Sequence, residues 1–198
     1  MSRLEEGAKK TIKTTQYFTE DYKKIIKERD KSFYNQNKSE MDNFSYVINR
    51  YTGWEYWCLN NYLREGKVEE FTEKELKSWA YCLHSSLQFR SSNVKNGQVV
   101  YRGIATPAPS DWKVGKRFYF PEFVSTSKDK SVAEGFSKGI TMLVITIKNN
   151  GSGGKNNYCR YIADISKYPE EEVLITAFCI FTITKIEGNT YYLDCEGY

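Results

Sequence analysis

The chain has 198 residues, 40% of them hydrophobic, with 16 tyrosines, 11 phenylalanines and 4 tryptophans, enough apolar material for a packed core and against global disorder. Its 29 Lys+Arg against 25 Asp+Glu leave a net charge of only +4, concentrated in residues 1–40, which reads as a solvated helical surface rather than a nucleic-acid arm. A single histidine, His84, excludes a multi-histidine metal site, and five cysteines without a CxxC pair exclude a zinc ribbon or finger, so no metal is expected.

The first ninety residues carry helical periodicity. Tyr22, Ile25, Ile26 and Arg29 recur at helical spacing within Tyr17 to Phe33. Phe44, Val47 and Ile48 make an apolar stripe in Met41 to Tyr51, which ends near Gly53, and Trp54 to Glu65 runs up to a stop at Gly66. Thr72 and Glu75 have the spacing of a capping box, in which hydroxyl and carboxylate each satisfy an orphan amide. Behind them Leu76, Trp79, Ala80, Leu83 and Leu87 fall on one face, and His84, one step away, reads as a packed or surface residue rather than a ligand.

After Ser92 the pattern turns to strands: Gln98 to Tyr101, Arg117 to Phe120, Phe123 to Ser127, Thr141 to Ile147, Arg160 to Ile165, Val173 to Lys185 and Thr190 to Cys195. Asp129 to Ser137 reads as a short helix with Asp129 as its N-cap. Gly188 and Asn189 predict a tight hairpin, because both tolerate positive φ. Helices followed by antiparallel-looking strands predict an α+β fold rather than alternating βαβ units.

The glycine-rich stretch 149–157 reads as a surface loop. It fits neither GxxxxGK[ST] nor GxGxxG, since asparagines stand at required positions and it joins two strands. The longest apolar run, Val173 to Phe181, is too short to cross a bilayer, so no membrane segment is expected. The charged start lacks a signal-peptide core, and an odd cysteine count then favours reduced thiols in a cytoplasm-like compartment, with secretion as the alternative if a leader precedes this sequence. No RNA-module signature is present, and no nucleic-acid partner is expected.

Three polar features stand out. Val99-Val-Tyr-Arg102-Gly103 is a strand ending in an arginine, whose charge costs desolvation unless a carboxylate in the protein or an anionic ligand answers it. Ser125, Thr126 and Ser127 close a strand before a helix, where hydroxyls either cap or position a ligand. Glu170, Glu171 and Glu172 lead into an apolar strand. If they enter it, period two sends Glu170 and Glu172 to one face and Glu171 to the other, a costly pairing of like charges unless cations are close.

In this order, Arg102, Ser125-Thr-Ser127 and Glu170-x-Glu172 resemble the motifs of the arginine-specific mono-ADP-ribosyltransferases. The flanks Tyr51-Thr-Gly-Trp-Glu-Tyr56, Asn60-Asn-Tyr-Leu-Arg64, Arg160-Tyr-Ile-Ala163 and Glu172-Val-Leu-Ile175 are similar to the vertebrate-type enzymes of that family. The resemblance covers about residues 40–195. It implies a helical N-terminal extension over 1–40 and a catalytic domain over 41–198, with helices packed on a mostly antiparallel, two-sheet β core. It implies NAD+ as a substrate rather than a recycled cofactor, and an acceptor protein with an exposed arginine as partner.

The resemblance also implies roles. Glu172 faces the nicotinamide ribose, Arg102 holds a phosphate or the nearby ribose, and Ser125 braces Glu172. Tyr101, the Gly103 backbone, Thr126, Ser127 and Phe136 border the NAD+ site, with Phe136 stacking on nicotinamide or simply packing. Glu170 directs the acceptor guanidinium, and Tyr168, in a turn over Ile165 to Pro169, contacts the acceptor. The secreted members carry disulfides, so pairing of Cys58 or Cys195 is open here. Thr176 and Ala177 replace a proline usual in the family. Two other readings stay open: an NAD glycohydrolase using the same site, and a catalytically silent binding module of the same fold.

Overall fold

The computed structural model describes residues 43–89, 94–148, 158–168 and 171–197. The predicted helix Tyr17 to Phe33, the boundary at residue 40, the loop 149–157 and Glu170 lie outside the described residues. The chain forms two compact units, residues 1–86 and 87–198.

The first unit is helical. It holds α1 (Asn43–Tyr51), α2 (Tyr56–Glu65) and most of α3 (Glu73–Phe89). Gly66 ends α2 in the left-handed conformation, φ +68°, and its amide donates to the Tyr62 carbonyl at 2.8 Å. The capping box that opens α3 is formed: Thr72 N–H donates to Glu75 Oε2 at 2.6 Å and Glu75 N–H to Thr72 Oγ1 at 3.3 Å. Leu76, Trp79, Leu83 and Leu87 of the predicted face are buried and Ala80 is half-buried, while His84, one step away, is buried as well. The Arg50 guanidinium lies 5.3 Å from the Trp79 ring centroid while its Nε bonds the Glu55 carboxylate, which satisfies that half-buried charge.

The second unit is a mixed eight-stranded array with one short helix. Its strands are β1 (Val99–Ile104), β2 (Arg117–Tyr119), β3 (Val124–Ser127), β4 (Thr141–Ile147), β5 (Cys159–Tyr161), β6 (Glu172–Ile175), β7 (Ile180–Glu187) and β8 (Thr190–Gly197). Their hydrogen-bonded order is β2-β7-β8-β4-β1-β3-β6-β5, antiparallel throughout except for the parallel pair β4–β8. Two halves, β2-β7-β8-β4-β1 and β3-β6-β5, meet at one registered pair, Tyr101 opposite Ser127. The fold is thus α+β with a mostly antiparallel core of two joined halves. Val100, Leu143, Ile145, Leu193 and Phe181 from the larger half and Val124, Val173 and Ile175 from the smaller half share one apolar core.

Helix α4 (Lys130–Ser137) follows β3 directly. Asp129 caps it, its carboxylate accepting from the Ser131 hydroxyl and from the Ser131 amide, each at 2.8 Å, and these hydrogen bonds hold the Asp129 carboxyl below the ordinary range. The β7–β8 hairpin turns through Gly188 and Asn189, with the positive φ falling on Gly188.

Two expectations change. Val173 to Lys185 is two strands, because β6 pairs with β3 and β5 while β7 pairs with β2 and β8, and the chain must cross between the halves. The crossing turns at Phe178, φ +63°, whose amide donates to the Phe120 carbonyl at 2.8 Å. The strand predicted over Arg160 to Ile165 stops at Tyr161, where the Ile165 and Ser166 amides both bond back to the Ile162 carbonyl and close a turn.

Candidate active site

Arg102, Ser125 and Glu172 belong to three strands that lie side by side in the order β1, β3, β6. The β3–β6 register places Ser127 opposite Glu172 and Ser125 opposite Leu174. Opposed residues of a ladder share a face, so Ser125, Ser127 and Glu172 stand on one face of this half, with Ser125 diagonal to Glu172. Thr126 takes the other face together with Val124, Val173 and Ile175, which are core residues.

Arg102 neighbours Tyr101, the β1 residue registered opposite Ser127, and its guanidinium Nη1 donates to the Ser125 carbonyl at 2.9 Å. Its Nε is buried and has no hydrogen-bond partner, and among the described residues no carboxylate pairs with the group. Leaving a buried donor on a cation unmet costs free energy, and no ion pair within the described residues offsets it. The guanidinium fork suits a phosphate or carboxylate oxygen.

The three hydroxyls of the Ser-Thr-Ser run divide their work. Thr126 Oγ1 donates to the Val173 carbonyl at 2.6 Å and Ser127 Oγ accepts from the Asp129 amide at 3.0 Å, so both are committed to the protein. Ser125, half-buried, keeps a hydroxyl that bonds nothing among the described residues. Thr126 is thus turned away from the face that Ser125 and Glu172 share.

Glu172 is 7% exposed. Its carboxylate oxygen Oε2 accepts from Ser166 Oγ at 3.1 Å, a contact that sequence reasoning missed. Nothing in the sequence singles out Ser166, which precedes the acidic run within an ordinary-looking turn. Glu171 points the other way, as period two requires, and accepts from the Tyr161 hydroxyl at 2.9 Å. That hydrogen bond holds the Tyr161 phenol above its ordinary pKa, and the Lys128 ammonium sits 3.6 Å over the same ring.

Gly103 also has a packing need. A Cβ there would lie 1.9 Å from the Ala133 carbonyl oxygen and 2.4 Å from the Ser137 nitrogen, so the missing side chain is what lets α4 lie on β1. Tyr101, on the same face of β1 as Gly103, is half-buried. Phe136 on α4 is 60% exposed and Tyr168 is 52% exposed, so both rings are open to contact. Glu170 lies outside the described residues.

Among the described residues no group of His, Cys, Asp or Glu is disposed to hold a metal ion, and no helix is long and apolar enough to cross a membrane. All five cysteines are buried thiols outside any disulfide.

Comparison with known proteins agrees with this geometry. Direct comparison with curated protein sequences gives no match. Among solved structures, the eukaryotic mono-ADP-ribosyltransferase ART2.2 is 25% identical, covering 99% of this chain and 87% of its own at a TM-score of 0.62, and it has also been solved with NAD and with NADH. The Vis ADP-ribosyltransferase, a Vibrio splendidus toxin, is 24% identical in its agmatine complex, covering 94% of this chain and 85% of its own at a TM-score of 0.60. Plx2a, an ADP-ribosyltransferase toxin from Paenibacillus larvae, shares the fold at 18% identity, 89% and 94% coverage and a TM-score of 0.56. The sequence profile described as "ART: NAD:arginine ADP-ribosyltransferase" matches residues 3–194, and the chain accordingly belongs to that family of ADP-ribosyltransferases, with NAD+ as its substrate.

Proposed function

We propose that this protein is an arginine-specific mono-ADP-ribosyltransferase, releasing nicotinamide and passing ADP-ribose to a guanidinium on an acceptor protein. The observation that carries this reading is the adjacency of Arg102, Ser125 and Glu172 on three neighbouring strands. An under-satisfied guanidinium and a buried carboxylate flank strand β3, a pairing suited to a ligand with phosphates at one end and a developing cation at the other.

In this reaction the bond between ribose C1′ and the nicotinamide nitrogen breaks, and its electron pair leaves with nicotinamide. Positive charge develops over C1′ and the ring oxygen. A fixed carboxylate at that place stabilises charge as it forms, as in glycoside hydrolysis, and Glu172 takes this role. Arg102 takes a phosphate or the nearby ribose, Ser125 offers its hydroxyl to the ribose, and Tyr101 and the Gly103 backbone border the nicotinamide. Thr126 and Ser127 act at one remove, by holding the end of β3. The open ring of Phe136 is available to stack on nicotinamide.

The acceptor guanidinium is protonated in water and attacks C1′ only as it gives up a proton. Glu170 orients it and accepts that proton, while Tyr168 contacts the surrounding acceptor surface. The agmatine complex of the Vis enzyme supports a guanidinium acceptor, because agmatine carries that group.

The test is incubation with labelled NAD+ and agmatine. Wild type is expected to release nicotinamide and label agmatine, and Glu172→Gln to lose roughly 10²–10³ in kcat. Glu170→Gln is expected to suppress agmatine labelling far more than NAD+ hydrolysis. Nicotinamide release no faster than in Glu172→Gln would overturn the proposal, and hydrolysis without labelling would make the protein an NAD glycohydrolase.

A further inference from the structure

The acid at Glu172 is gripped by the segment just ahead of it. The Ile162 amide donates to the Glu172 backbone carbonyl at 3.0 Å, fixing where the turn begins. The Ile165 and Ser166 amides close that turn on the Ile162 carbonyl at 2.9 and 2.8 Å. Ser166 is thereby returned to the strand it left, and its hydroxyl donates to Glu172 Oε2 at 3.1 Å. One short turn is pinned at both ends to a single residue, once through its backbone and once through its carboxylate. The same hydroxyl accepts from the Tyr168 amide at 3.4 Å, which ties the exposed Tyr168 to this arrangement.

A buried glutamate has rotamer freedom along three bonds, and a reacting carboxylate is useful only when its oxygens are held where charge will develop. A hydroxyl anchored by a closed turn supplies that constraint more rigidly than one on a free loop. The neighbouring acid is treated likewise, since the Tyr161 hydroxyl from the same segment holds Glu171 on the opposite face. Residues 161–168 therefore sort the two acids to their faces.

We propose that Ser166 is the positioning residue for Glu172: its hydroxyl sets the carboxylate for the transition state and couples it to the turn carrying Tyr168. This inference rests on Glu172 being the transition-state carboxylate of the proposed reaction. Ser166 does not touch NAD+ in this scheme; it acts through Glu172 alone.

The test compares nicotinamide release by wild type, Ser166→Ala and Ser166→Thr, each also made in the Glu172→Gln background. Losing one hydrogen bond to a charged group is expected to lower kcat about tenfold in Ser166→Ala. KM for NAD+ should stay within about twofold, since ground-state binding is not at stake. Ser166→Thr, which keeps the hydroxyl, is expected to recover most of the rate. In the Glu172→Gln background Ser166→Ala should cost less than about twofold, because the charge it orients is gone. An unchanged kcat, a loss confined to KM, or the same penalty in both backgrounds would overturn the assignment; the double-variant comparison decides even if Ser166→Thr folds poorly. Wild type no more active than Glu172→Gln would refute the reaction itself, whereas an active wild type with an equally active Ser166→Ala refutes only the role of Ser166.

Discussion

Replacing Gly103 by alanine puts one methyl group into the close contact between β1 and the α4 backbone. The added carbon would meet the Ala133 oxygen at 1.9 Å, the Ser137 nitrogen at 2.4 Å and the Ala133 carbonyl carbon at 2.9 Å. All three are backbone atoms of α4, so no side chain can rotate out of the way. The helix would have to retreat by more than about 1 Å to restore ordinary contact, and it starts only two residues after β3 ends, at the Asp129 cap. Overpacking in a core commonly costs 1–3 kcal/mol, and rigid opposing atoms place this case at about 3 kcal/mol. For a domain of this size that is a fall in Tm of roughly 6–12 °C.

Thermal melting by circular dichroism measures it, with Gly135→Ala as the control in the same helix. A Cβ at Gly135 meets nothing within 4 Å, so that change should be neutral or stabilise by up to about 1 kcal/mol through helix propensity. A Gly103→Ala variant melting within about 2 °C of wild type would refute the packing argument.

Three further outcomes follow from the side chains already described. Burial holds the His84 imidazole down at about 4 from its ordinary 6.5, so the folded protein refuses a proton that the unfolded chain takes up. Its contribution is therefore complete above pH 6.5 and is lost as pH falls towards 4, by roughly 3 kcal/mol in all, so in urea melts wild type should lose that much stability relative to His84→Gln across that window; parallel curves would contradict it. Burial, assisted by Glu70, pushes the Cys58 thiol up to about 11, and burial raises Cys179 further, so thiol-specific reagents at pH 8 should react slowly with the folded protein and rapidly with all five thiols after denaturation. Phe136→Ala should leave Tm nearly unchanged, since the ring is 60% exposed, yet raise KM for NAD+ roughly tenfold if the ring stacks on the ligand.

Where a local rule decides structure, the sequence alone was enough. The Thr72–Glu75 box, the Asp129 cap and the Gly188–Asn189 hairpin each follow from hydrogen bonds between near neighbours, and all three are formed. Strand β4 was bounded correctly because its apolar run is flanked by a glycine turn on one side and polar loop residues on the other. Val173 to Lys185 defeated the same reasoning. Hydrophobicity reports burial, and the run stays apolar from the fully buried β6 to Phe181 and Ile183, the buried residues of β7, while the break at Phe178 reflects which strand each must join. Partner choice is a property of the whole sheet and leaves no local mark.

The site divides along the same line. Arg102, Ser125 and Glu172 stand out in the sequence because polar groups at the ends of apolar strands are anomalous wherever the strands lie, and their roles come from the resemblance to a family motif. The carboxylate's holder was not legible, because Ser166 has no anomaly of its own: its meaning arises only when a turn closed on Ile162 brings it back to the strand. Gly103 shows the converse. The resemblance points to its backbone beside nicotinamide, but its packing reason was not legible, since the atoms that forbid a side chain belong to a helix thirty residues later in the chain, at Ala133 and Ser137. Residues that react announce themselves by chemistry out of place, whereas residues that aim them are ordinary in type and informative only in position. A search of this fold for control over the reaction should therefore begin with unremarkable side chains bonded to Arg102 and Glu172, not with further unusual ones.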